Sequence, residues 1–87
     1  MKIRTKLSPD KVHHAEMEAS RGTRIRLVAF LTNDGWNGGI LDLNTREWLS
    51  LGQWRDLETA KSHTEGFARI TFGVSGDFVW FQGLPKT

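Results

Sequence analysis

The segment from Thr23 to Thr32 alternates with a period of two, and no other segment constrains the fold as much. Ile25, Leu27, Ala29 and Leu31 fall on one side, and Arg24, Arg26, Val28 and Phe30 on the other. That is the pattern of a strand whose two faces meet different surroundings. A strand needs neighbours, because its backbone N–H and C=O groups must be paired. The following residues supply them. Asn33-Asp34-Gly35-Trp36-Asn37-Gly38-Gly39 is dense in turn formers and reads as a long hairpin tip. Ile40 to Asn44 and Glu47 to Leu51 read as short strands joined at Asn44-Thr45-Arg46.

The flanks extend this pattern. Residues 2–7 alternate, with Ile3, Thr5 and Leu7 opposite Lys2, Arg4 and Lys6, which predicts a first strand with one basic face. Ser8-Pro9-Asp10 has the grammar of a helix start, Val12, Ala15 and Ala19 follow at helical spacing, and Gly22 would close that helix. Asp56 suits an N-cap, with Leu57, Ala60, Thr64 and Phe67 on one helical face and Gly66 near the end. Ala68 to Phe72 and Phe78 to Gln82 read as a last hairpin around Val74-Ser75-Gly76-Asp77. The expected order is β-α-β-β-β-α-β-β. Successive hairpins favour antiparallel pairing, so the expected fold class is α+β, a small two-layer domain with a mostly antiparallel sheet and two helices.

Size fits one domain over residues 1–87. There is no cysteine, so disulfides, Cys-ligated zinc and thiol nucleophiles are excluded. The longest apolar run, Leu27 to Leu31, is far short of the roughly 20 residues that span a bilayer, so no membrane partner is expected. The basic N-terminus has no apolar segment after it, and a cytoplasmic setting is the expectation.

Catalytic and metal chemistry find little support. Gly73-Val74-Ser75-Gly76-Asp77 lacks the glycine spacing of a nucleophile elbow and reads as a turn. His14 and Glu18 would be neighbours on a helix, but two ligands do not make a site. No cofactor and no metal are expected, and the chain reads as non-enzymatic.

Charge is the better clue. Residues 1–26 hold seven cations against three acids, and the remainder five against seven. Lys2, Arg4 and Lys6 project from one strand, and Arg24 and Arg26 from another. If the two strands are neighbours, five cations share a face and would bind phosphates in a salt-sensitive way. A solvated or edge-protecting basic face is the bland alternative. Trp36, with Asp34 and Asn37 beside it, is either folded onto the core or offered to a partner. Trp48 and Trp80 read as strand residues that pack in the core. In 78–82 both faces are apolar, which predicts burial on both sides or an interface such as self-association; an aromatic strand can also stack nucleobases, and core packing is the commoner explanation.

Residues 24–67 resemble the three-stranded DNA-binding domains of the AP2 type and of phage integrase arm-binding domains. The resemblance rests on Leu51-Gly52-Gln53-Trp54 leading to Asp56-Leu57-Glu58-Thr59-Ala60, after hairpins at Arg24 to Leu31 and Ile40 to Leu51. It implies a DNA-reading surface on the outer face of the three strands, with Arg24, Arg26 and Arg46 forward. The functional expectation is a small domain that contacts a nucleic-acid backbone through a basic sheet face. The alternative is a phage or mobile-element protein that binds and inhibits a host protein, as anti-CRISPR proteins do, or a small assembly subunit.

Overall fold

The computed structural model describes residues 9–83. A five-stranded antiparallel sheet carries one helix on one face, so the class is α+β with two layers. The strands are β1 (Val12–Glu18), β2 (Arg24–Thr32), β3 (Gly35–Asp42), β4 (Trp48–Trp54) and β5 (Phe81–Gln82), and the helix is α1 (Leu57–Phe72). Their spatial order is β4-β3-β2-β1-β5.

The expected two helices and element order need correction. The segment read as the first helix is β1, flanked by single 3-10 turns at Pro9–Lys11 and Ser20–Gly22. Helical spacing of Val12, Ala15 and Ala19 is overridden by pairing with β2, which sets Glu16 opposite Arg26 and Glu18 opposite Arg24. Opposite charges directly across an antiparallel pair stabilise that register. The residues read as a strand at 68–72 instead complete α1, which ends at Gly73 in the left-handed conformation (φ 68°). Thr64, Phe67, Ala68 and Phe72 recur at helical spacing toward the sheet, and this outweighs the strand preference of Ile70, Thr71 and Phe72. Of 78–82, only Phe81–Gln82 is strand, and it pairs with β1 rather than with 68–72. The expected hairpin tip is also shorter. Asn33 and Asp34 make a two-residue turn, and Gly35 onward belongs to β3. The strand expected at 2–7 lies outside the described residues. Both edges of β2 are occupied, by β1 and β3.

Pairing assigns the two faces. His13, Ala15 and Met17 share a face with Ile25, Leu27, Ala29 and Ile40, and α1 packs on that side. The core there is Ala15, Ala19, Ile25, Leu27, Ile40, Ala68 and Val74, rimmed by Leu51, Phe67, Phe72, Phe78 and Trp80. Asp56 caps α1 by accepting from the Thr59 amide at 3.0 Å. Gly38 lets the helix sit close, because a Cβ there would overlap the buried Thr64 hydroxyl and stand 3.0 Å from the Trp54 ring.

Candidate functional site, the open sheet face

Val12, His14, Glu16, Arg24, Arg26, Val28, Phe30, Gly39, Leu41, Trp48 and Ser50 share the other face by register. No helix among the described residues covers it. At one end of this face Arg26 donates to Glu16 at 2.9 Å, and a second guanidinium nitrogen lies 2.8 Å from the same carboxylate. Arg24 reaches Glu16 at 3.6 Å while its side chain stays 63% exposed. Two cations thus share one carboxylate, and among the described residues Glu16 is the one anion paired with the Arg24 guanidinium. Arg46 is exposed in the β3–β4 turn at the same end, with φ 69°. The Asp42 carboxylate builds that turn by accepting from the Asn44 and Thr45 amides at 2.8 and 3.1 Å.

Farther along the same face lies an aromatic surface. A Cβ on Gly39 would overlap the six-membered ring of Trp48, so the indole rests on bare Gly39 backbone. Phe30 tilts against it with ring centres 6.4 Å apart. Trp48 remains 45% exposed. At the far edge, Phe81 is 56% exposed and its ring centre is 5.6 Å from that of His14. The buried His14 bonds through Nδ1 to the Gly83 carbonyl at 2.7 Å, and the Gly83 amide donates to Val12 O at 2.7 Å, which pins β5 to β1.

The sequence-derived candidates are therefore distributed. Arg24 and Arg26 lie on the open face and Arg46 is in the turn at the same end of the sheet, whereas Lys2, Arg4 and Lys6 lie outside the described residues. Trp36 is half-buried within β3 on the helix side, with its ring centre 5.8 Å from that of His13. Asp34 is exposed in the two-residue turn. Asn37 is on the open face, but its amide is engaged with Thr32 Oγ1 at 2.9 Å and with Gly35 O at 3.2 Å. These three residues do not converge. In 78–82 the two faces differ, because Phe78 and Trp80 pack on the core and Val79 and Phe81 are exposed. Trp80 Nε1 donates to Glu65 at 2.7 Å.

Trp48 is the surface residue that sequence reasoning assigned to the core. Its phase carried the signal. Leu49 and Trp48 alternate, and Ser50 shares the phase of Trp48, which put Trp48 on the outer side. On the helix side, open hollows border β4, one lined by Leu49, Ser50, Leu51, Trp54, His63 and Phe67. His63 stacks on Trp54 there at 5.0 Å, a packing contact between α1 and β4. Ser75 is exposed in the irregular segment between α1 and β5. Among the described residues no three His, Asp or Glu side chains are placed to hold a metal ion, and no helix is long and apolar enough to cross a membrane. No protein-family model, curated protein or solved structure matches this chain.

Proposed function

We propose that this is a non-enzymatic domain whose open sheet face binds nucleic acid. One observation carries the reading: a sheet face left uncovered by the helix presents both the exposed guanidinium of Arg24 and, two strands away, the exposed indole of Trp48. Arg24 and Arg46 contact phosphates in this reading, and Arg26 serves mainly to hold Glu16 and the β1–β2 register. The basic residues Lys2, Arg4 and Lys6 add charge from the preceding sequence. The resemblance of residues 24–67 to three-stranded DNA-binding domains points to the same face.

The test is anisotropy of labelled mixed-sequence oligonucleotides at low and physiological salt, with wild type and an R24A/R46A variant. Binding that weakens with salt in the wild type is expected, together with a log–log slope lowered by up to about two in the variant. An unchanged slope would remove the arginines from the contact. A second reading rests on Val79 and Phe81, which are 61% and 56% exposed. These apolar side chains fit a protein partner or a second copy of the chain. Light scattering across concentration and a V79S variant, which leaves Phe81 in place, separate that reading from the first.

A further inference from the structure

Resting on the nucleic-acid reading, we infer that the open face takes single-stranded nucleic acid in preference to duplex, with bases stacked on Trp48 and Phe81. The geometry of Trp48 is the first reason. The six-membered ring of Trp48 sits against the bare Gly39 backbone with Phe30 tilted beside it, and the residue stays 45% exposed. An exposed aromatic ring held in place by its neighbours is a surface on which an unpaired base can stack. The second reason is continuity. Phe81, His14, Val28 and Gly39 follow one another in register across β5, β1, β2 and β3, and Trp48 leans over Gly39 from β4. With strands about 4.8 Å apart, the two exposed rings stand roughly 10–15 Å from each other across this band, a span for a short run of nucleotides.

Charge is the third reason. Glu16 occupies Arg26 and is shared with Arg24, so the described face offers a polyanion little net positive charge. Duplex binding without base-face contacts relies on several neutralised phosphates, and a paired stack hides the base faces that Trp48 and Phe81 would meet. An unpaired strand can use both kinds of contact at once. The arginine end sets where the backbone lies, and the aromatic band supplies most of the affinity.

The experiment compares three labelled probes of equal length against the full chain: an oligothymidylate, an abasic oligomer with the same phosphates, and a mixed-sequence duplex. The oligothymidylate is expected to bind about ten-fold tighter than either of the others. W48A and F81A are each expected to weaken it by about ten-fold, whereas W48F keeps most of the affinity. Circular dichroism and the melting curve of each variant establish that it is folded. Should W48A fail to fold, W48F and F81A still carry the comparison with the abasic probe. Duplex bound as tightly as the single strand, or abasic oligomer bound as tightly as oligothymidylate, overturns the stacking inference and leaves the phosphate reading standing. Binding of none of the three overturns both.

Discussion

Arg46 adopts φ 69°, a left-handed backbone conformation that side chains other than glycine occupy at a cost of roughly 1–2 kcal/mol. Glycine would sit there without that steric cost, although it gives up more chain entropy on folding. Arg46→Gly is therefore expected to leave stability unchanged or raise it by up to about 1 kcal/mol in urea unfolding, while weakening oligonucleotide binding. A variant that is at least as stable yet binds less well separates the role of Arg46 from structural support. Equal binding would take Arg46 out of the site. Gly38 makes the opposite case. A methyl group there meets Thr64, which is fully buried and already bonded to the Ala60 carbonyl at 2.7 Å, so it has nowhere to move. Gly38→Ala is expected to cost about 1–3 kcal/mol by forcing α1 off the sheet, read from the urea midpoint. A cost near zero would mean that the helix packs less closely than this geometry requires.

At the scale of elements, β2, the end of β3 from Ile40, the start of β4, the cap at Asp56 and the first turns of α1 were legible, because each rests on local rules of alternation, turn chemistry and capping. β1 was not. Its residues carry weak helical spacing, and its strand state comes from pairing with β2 across the turn at Ser20–Gly22. The readable signal was the matched charge pattern, Glu16 and Glu18 mirrored by Arg26 and Arg24 around that turn. The last turns of α1 were misread for the same reason: Ile70, Thr71 and Phe72 favour strand locally, and the packing of Ala68 and Phe72 on the sheet decides otherwise. That Arg24 and Arg26 share one face of a strand was legible, and the placement of the Trp48 indole was not, since its support comes from Gly39 on a neighbouring strand. The β1–β2 hairpin also offers a test in which stability and binding move in opposite directions. Glu16 is half-buried and engages both arginines, so Glu16→Gln is expected to weaken the fold by about 0.5–1 kcal/mol. The same change frees two guanidinium groups and should tighten oligonucleotide binding and steepen its salt dependence. Binding that is unchanged, or weakened in step with stability, would show that Arg24 and Arg26 serve the hairpin alone.

For the whole molecule, acid should act in two separate windows. His13 lies on the helix side of the sheet beside Trp36, and burial together with the nearby charge of Lys61 lowers its pKa from the ordinary 6.5. The folded chain then binds that proton less readily than the unfolded chain. Stability is unaffected well above pH 6.5, declines as pH falls below that value, and levels off once pH has passed the lowered folded value. Asp56 acts lower down. Hydrogen bonds from the Thr59 amide and hydroxyl hold its carboxyl below the ordinary 3.8. Its stabilisation is complete above that value and is lost as pH falls through the lowered folded value. Both shifts have the sign that makes acid destabilising, yet one belongs to the fit of sheet against helix and the other to the helix start. Melting temperatures from pH 8 to pH 2 should accordingly fall in an upper and a lower step. His13→Gln is expected to flatten the upper step alone. Asp56→Ala is expected to lower the melting temperature at neutral pH and to reduce the lower step, because the uncapped helix has less left to lose. An upper step that survives in His13→Gln would take His13 out of the acid response.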